Sequence, residues 1–325
     1  MVKRFYVDQY ADRIIAGDRI VLSRAITLVE STLPSDQELA QQVINRLLPH
    51  TGKSIRIGIT GAPGVGKSTF IEAFGNYLIT RQKKVAVLAV DPSSQRTGGS
   101  ILGDKTRMET LATNPAAYIR PSPAGKSLGG VAQKTREAIL LCEAAGFDTI
   151  LVETVGVGQS ETAVHGMVDF FLLLLLAGAG DELQGIKKGI MELGDALVIT
   201  KADGANYLQA KKAKSEVEQA LQLFSKPESG WFPQVTICSA LENKGINVIW
   251  NQIDAYFKLT HHSGFFQKKR KDQNLFWLHE TIRQALLDNF FAAPAIKSIL
   301  PELEQQVLDG SISPTLAAQK LLNLT

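Results

Sequence analysis

The stretch Gly61-Ala62-Pro63-Gly64-Val65-Gly66-Lys67-Ser68 constrains this chain more than any other part of it. An apolar run, Ile55–Thr60, leads into it, and a helical pattern from Thr69 to Ile79 leads out. Strand, glycine-rich loop and helix in that order make a cradle for a phosphate chain. The glycines let the backbone pass close to phosphate oxygens, where a Cβ would stand in the way. Loop amides and the helix N-terminus supply partial positive charge. Lys67 is expected to reach the β- and γ-phosphates, and the Ser68 hydroxyl to ligate Mg2+. Gly61, Ala62, Pro63, Gly64, Val65, Gly66, Lys67, Ser68 and Thr69 are thus the candidate phosphate-binding residues.

A loop of this kind needs a sheet behind it. Short apolar runs recur at Ile55–Thr60, Val85–Val90, Ala117–Ile119, Thr149–Val152, Phe170–Leu176, Ala196–Thr200 and Val235–Cys238, with helix-like stretches between most of them. Continuous apolar strands alternating with helices imply an α/β P-loop NTPase fold, a mostly parallel central sheet flanked by helices. Helical extensions stand on either side. At the N-terminus Val7, Tyr10 and Ile14 share a helical face, Asp18 is placed to cap a second helix, and Ser35 with Glu38 reads as a capping box. At the C-terminus Pro294 starts a helix that Gly310 ends, and Ser313-Pro314 fits an N-cap with a first-turn proline. The expected division is 1–52 helical, 53–259 nucleotide-binding, and 260–325 helical.

The chain has 325 residues, 45% of them hydrophobic, and a net charge of +3. That charge is too balanced to argue for a nucleic-acid partner. Cys142 and Cys238 are far apart and in no paired motif, which favours a reducing setting over a disulfide framework. The N-terminus lacks an apolar signal core, and the greasiest run, Phe170 to Ala179, falls well short of the roughly 20 residues a spanning helix needs. A cytoplasmic protein with no membrane partner is the expectation.

Carboxylates at other strand ends narrow the chemistry. The run Thr149–Val152 delivers Glu153, a Walker-B-like position for holding Mg2+ or a metal-bound water, with Gly156 close behind to approach a γ-phosphate. The run Val85–Val90 delivers Asp91, and the polar, glycine-bearing segment after it carries Asp104 and Arg107. Asp91 and Asp104 are candidate Mg2+-shell carboxylates. Arg107 is a candidate for neutralising charge on the transferred phosphoryl group, with a plain surface ion pair as its alternative.

Thr200-Lys201-Ala202-Asp203 closes another apolar run and resembles the [NT]-K-x-D guanine signature. An Asp carboxylate accepts the N1–H and N2–H2 of guanine, and adenine offers neither donor. Ser239-Ala240-Leu241 resembles the companion loop that supports the base. GTP or GDP with Mg2+ is therefore the expected ligand. Threonine replaces the commoner asparagine at position 200, a change expected to loosen the loop's anchoring.

Together these residues resemble the methylmalonyl-CoA-mutase-associated GTPase chaperones of the MeaB/ArgK type. The resemblance extends through Val90–Ser94, Ile119–Pro123, Leu128-Gly129-Gly130, Glu153–Glu161, Gly180–Lys187 and Arg24–Ser31. It implies a homodimeric G protein with a C-terminal dimerisation arm. It implies slow GTP hydrolysis, stimulated by an adenosylcobalamin-dependent acyl-CoA mutase whose cofactor loading the protein gates and which it protects. Three switch segments follow from it, at 91–107, 154–162 and 178–189. In the last, Asp181, Gln184 and Lys187 would couple the mutase to catalysis. The rival readings are an ATP-dependent kinase linked to amino-acid transport and a metal-insertion or membrane-targeting GTPase. The run Lys268–Lys271 reads as a solvated helix face, His261 and His262 as non-ligands, and Trp231, Trp250 and Trp277 as packing residues.

Overall fold

The computed structural model describes residues 5–90, 108–121, 128–154, 160–177 and 188–324. The chain forms two compact units, 1–273 and 274–325.

Seven strands build one sheet in the larger unit: β1 Ile55–Gly61, β2 Val85–Val90, β3 Ala117–Arg120, β4 Thr149–Thr154, β5 Phe170–Leu176, β6 Ala196–Thr200 and β7 Gln234–Ile237. Their order is β3-β2-β4-β1-β5-β6-β7, and every pairing is parallel. The apolar runs become strands because both faces of the sheet are covered. In β5, Phe170, Leu172 and Leu174 pack with the helices Lys67–Thr80 and Ile246–Ser263, through Phe70, Phe74, Ile249, Ile253 and Tyr256. The alternate residues Leu173 and Leu175 pack on the opposite face with Ala210, Ala213 and Val217 of the helix Tyr207–Leu221. Each fully buried Leu or Phe contributes roughly 1.5–3 kcal/mol. A sheet greasy on both sides therefore has to be covered by helices on both faces.

The chain leaves β1 toward one side for β2 and β3, and returns through β4 to reach β5 on the other. That reversal puts the carboxyl end of β1 at the crevice where open α/β sheets bind ligands.

The helices Val7–Ile15, Arg19–Glu30 and Pro34–Leu47 pack on one another and on the helix Leu128–Ala144. Asp18 caps the second of them, its carboxylate accepting from the Ile20 and Val21 amides at 3.0 Å. The third departs from the sequence reading. It begins at Pro34 with Leu33 as its N-cap, so Ser35 lies inside the first turn and the Ser35–Glu38 capping box does not form. Pro34 presets the helical φ at the first position. Asp36 is turned inward instead, where Ser31 Oγ donates to it at 2.8 Å.

The Lys268–Lys271 run also departs from its reading. Lys269 and Arg270 lie at the amino edge of the sheet, their side chains only 15% and 13% exposed. Arg270 donates to both oxygens of Asp169 and to the carbonyls of Gly52 and Ser54. Lys269 donates to the Asp169 carbonyl. This is a brace across the sheet edge, not a solvated face.

The smaller unit has its own cluster, Ile296, Leu303, Ala317 and Leu321, formed between the helices Pro294–Leu308 and Pro314–Leu322. Ser313 Oγ caps the last of these by accepting from the Leu316 amide. Leu275, Phe276, Leu278, Ile282, Leu286 and Phe291, on the helix Phe265–Ala292, are exposed. No helix among the described residues is long and apolar enough to cross a membrane.

Candidate functional site

β1 ends at Gly61, whose position admits no side chain, since a Cβ there would stand 2.6 Å from the Leu174 carbonyl oxygen. The loop then turns back through Gly66, in the left-handed region at φ +96°, which caps the helix Lys67–Thr80. Within this turn the Val65 amide donates to the Ala62 carbonyl at 3.2 Å. Val65 is buried, while Pro63, Gly64 and Thr69 face solvent.

Lys67 is only 8% exposed. Its ammonium donates to the carbonyls of Gly61 at 2.8 Å and Ala62 at 3.2 Å, lying back along the loop it belongs to. Burial pulls its pKa below the ordinary lysine value, and the nearby carboxylates of Glu153 and Glu161 act in the opposite direction. The site thus holds a cation that is only partly compensated, which favours an incoming polyanion.

Glu153 is buried near the carboxyl end of β4, beside β1, and the Ser68 hydroxyl donates to its Oε1 at 3.5 Å. At the same edge Thr154 Oγ1 donates to Thr60 Oγ1 at 2.7 Å, tying the ends of β4 and β1. A hydroxyl and a carboxylate are hard oxygen donors of the kind Mg2+ takes when substrate phosphates complete its shell. Among the described residues no three His, Cys, Asp or Glu side chains form a self-sufficient metal cage. The donor set therefore fits a cation that arrives with a nucleotide.

On the other side of β1, β6 delivers Thr200 and then Lys201, Ala202 and Asp203. Asp203 Oδ2 accepts from Ser239 Oγ at 3.0 Å, and the Ala202 amide donates to the Cys238 carbonyl. These bonds fix the Asp203 carboxylate against the strand end after β7. Lys201 has φ +54°, and its stem passes over the phosphate loop, its Cε 3.8 Å from where a Cβ on Gly66 would stand. Ser239 is buried, Ala240 half-buried and Leu241 76% exposed. A cavity of about 510 Å3 opens beside this edge, lined by Ala202, Tyr207, Ser239, Glu242 and Lys244 among others.

Thr200 does not loosen the loop, as its replacement of asparagine led us to expect. Its Oγ1 lies 2.7 Å from the Val65 carbonyl and 3.2 Å from that of Leu175. The hydroxyl therefore anchors the phosphate loop to β6, and does so fully buried.

Lys67, Ser68 and Glu153 meet at one point of the carboxyl edge, and Thr200, Lys201, Asp203 and Ser239 at a neighbouring one. Asp91, Asp104, Arg107, Gly156 and Lys187 lie outside the described residues. Glu161 is the residue to which the sequence pattern assigns no role. Only its burial, at 5% exposure, sets it apart from an ordinary first-turn acid.

Comparison with known proteins agrees along the chain. The family model described as methylmalonyl Co-A mutase-associated GTPase MeaB matches residues 22–295. A probable GTPase of Mycobacterium tuberculosis is 52% identical over 98% of this chain and 95% of its own length. GTPase ArgK of Escherichia coli is 47% identical over 95% and 93%. A mouse protein, methylmalonic aciduria type A homolog, mitochondrial, is 45% identical over 98% and 79%. Among solved structures, that of a LAO/AO transport system kinase superposes with a TM-score of 0.79 at 39% identity, covering 100% of this chain and 99% of that one.

Proposed function

This chain belongs to the MeaB family of methylmalonyl-CoA mutase-associated GTPases, and on that premise we propose that it is the GTP-hydrolysing chaperone of an adenosylcobalamin-dependent acyl-CoA mutase. In this role it gates cofactor loading and protects the mutase. The observation that carries the client assignment is the reach of the family match. It runs from the second helix, across the whole sheet, and through the helix Phe265–Ala292 to the start of the helix Pro294–Leu308, and so includes far more than a nucleotide site.

Bound Mg2+ would neutralise charge on the β- and γ-phosphate oxygens. Ser68 and Glu153 would hold it, with Asp91 and Asp104 as further carboxylates of its shell. Lys67 turns from the loop carbonyls toward the phosphates. Asp203 accepts from the guanine N1–H and N2–H2 while Ser239 holds its other face, and the Lys201 stem lies along the base. Gly156 would approach the γ-phosphate, Arg107 would steady charge on the transferred group, and Lys187 would link that event to the mutase. The product of the cycle is a conformational state, because γ-phosphate contacts order segments that hydrolysis then releases. In the same reading the protein is a homodimer, with the exposed apolar side chains of the helix Phe265–Ala292 as its self-association face.

A kinase reading has one support, the similarity to a solved structure that bears the name of a transport system kinase. The Asp203–Ser239 arrangement favours the guanine nucleotide, since adenine would leave that carboxylate without donors. The deciding experiment is GTP hydrolysis by the purified protein with and without adenosylcobalamin-dependent acyl-CoA mutases. Stimulation by one of them, with GTP preferred over ATP, is expected; no stimulation by any would remove the client assignment.

A further inference from the structure

Three buried side-chain oxygens among the described residues have no hydrogen-bond partner: Oε2 of Glu161, Oε1 of Gln252 and Oε1 of Gln273. Two belong to neutral amides, and the third to a carboxylate, for which an unmade bond in a dry surrounding is far more unfavourable. Glu161 lies in the first turn of the helix Ser160–His165, which packs against β4 and β1, the strands that end in Thr154 and Gly61.

The described residues offer this oxygen no donor. Lys67, whose ammonium feels the charges of both Glu153 and Glu161, gives its hydrogen bonds to Gly61 and Ala62. A nucleotide phosphate carries only acceptors. The base is read at a separate point of the edge, by Asp203 and Ser239. The water shell of a divalent cation held by Ser68 and Glu153 would bring donors to this place. Mg2+ gives up water reluctantly and keeps several molecules when one or two protein oxygens and the phosphates bind it. Outer partners of that kind orient the shell and tune affinity for the metal.

We propose that Glu161 is a positioning residue of the metal site, its Oε2 accepting a hydrogen bond from a water carried by the nucleotide-bound Mg2+ that Ser68 and Glu153 hold. The proposal rests on the guanine-nucleotide reading of the site and is independent of the client. The carboxylate is thus pre-placed in the protein and becomes satisfied only when metal and nucleotide arrive together. It makes Mg2+ strengthen nucleotide binding through a residue that touches neither.

The test is calorimetric titration of GDP into the full-length protein, in chelator and across a range of Mg2+ concentrations, for the wild type and Glu161→Gln. Glutamine keeps the shape and removes the charge. In chelator the variant is expected to bind GDP as well as the wild type or better, because a negative charge near the phosphates has gone. The tightening that Mg2+ produces is expected to fall by about tenfold. A merely structural role would weaken both conditions alike, and equal loss in both, or full retention of the Mg2+ effect, would overturn the proposal. A crystal structure of the wild type with GDP and Mg2+ decides the matter without a variant. Glu161 Oε2 should lie within hydrogen-bond distance of a metal-bound water; direct coordination, or no water within reach, would overturn it. Both measurements omit the mutase, so their failure leaves the client assignment standing, whereas a wild type that bound no GDP would remove the nucleotide reading itself.

Discussion

At the amino edge of the sheet, Glu143 accepts from Arg56 Nε at 2.9 Å, Arg56 Nη2 at 3.0 Å, the Gly52 amide at 2.8 Å and the Ser54 hydroxyl. Asp169 beside it accepts from Arg270 Nε and Nη2 and from the Arg56 amide. At the carboxyl edge, Lys67 leans on two loop carbonyls and Glu161 keeps an oxygen that no described residue pairs. Both edges bury charge. The amino edge pairs it within the protein, so it braces; the carboxyl edge leaves it partly unpaired, so it receives a ligand. Burial opposes ionisation of Glu143, but the Arg56 guanidinium and the hydrogen bonds hold its carboxyl below the ordinary value. At Lys67 burial prevails.

The sharpest way to break this comparison is to remove one charge from each edge. Glu143→Ala leaves Arg56 buried without its partner and is expected to destabilise the protein by about 3–5 kcal/mol in denaturant unfolding. Replacing Arg56 and Glu143 together by Met and Leu is expected to recover most of that loss, because no orphan charge remains. Lys67→Ala at the other edge is expected to lower GDP affinity by about 100-fold or more in calorimetry. It is expected to change the unfolding free energy of the nucleotide-free protein by about 1 kcal/mol at most. A loss of stability as large as that of Glu143→Ala would show that the two edges do not differ.

The two edges also differ in how much of them the sequence discloses. All seven strands can be read to within a residue or two, because a strand buried on both faces writes itself as an uninterrupted apolar run, as Phe170–Leu176 does. The phosphate loop and the Thr200–Asp203 turn can be read because their chemistry is local, a few residues at fixed spacing. The brace cannot be read. Arg270 and Asp169 are 101 residues apart, and nothing in Lys268–Lys271 marks two of its cations as buried. The Ser35–Glu38 pattern misleads for a related reason, since Pro34 and the Ser31–Asp36 bond decide where the helix starts. Glu161 escapes notice because its burial depends on where a one-and-a-half-turn helix lands against β4 and β1, which no spacing reports.

His165, at the far end of the helix that carries Glu161, supplies a pH test of the amino edge. Burial pulls its pKa down to about 4, helped by the positive charge of Lys269, and its ring stands edge-on to Phe171. The unfolded chain takes up the proton near the ordinary value of 6.5 while the folded chain refuses it until about pH 4. Stability from this group is therefore complete above 6.5 and falls as pH drops through the interval toward 4. At pH 5 the loss amounts to about 2 kcal/mol. His165→Phe keeps a ring against Phe171 and has no proton to take. Its unfolding free energy, measured against pH between 7 and 5, should fall less steeply than that of the wild type by this amount. Parallel curves would place the acid sensitivity of the edge elsewhere.

The smallest expected effect belongs to a place where the carboxyl edge pairs its groups internally. Thr200 Oγ1 ties the Val65 carbonyl of the phosphate loop to the end of β6. Thr200→Val keeps the shape and deletes the hydroxyl. It leaves the Val65 carbonyl, in a residue 1% exposed, short of a donor, at a cost of about 1 kcal/mol. The loss should appear in nucleotide affinity, because the bond restrains the loop that wraps the phosphates. A drop of about fivefold in GDP affinity is expected, with Thr200→Ser restoring it. An equal fall in GDP affinity and in affinity for free pyrophosphate would assign the bond to shaping the phosphate loop. A fall confined to GDP would assign it to aligning Lys201 and Asp203 with the base. Either way the hydroxyl acts where asparagine commonly stands, through a carbonyl of the loop, and the edge that waits for its ligand is rigid at the joint between its two halves.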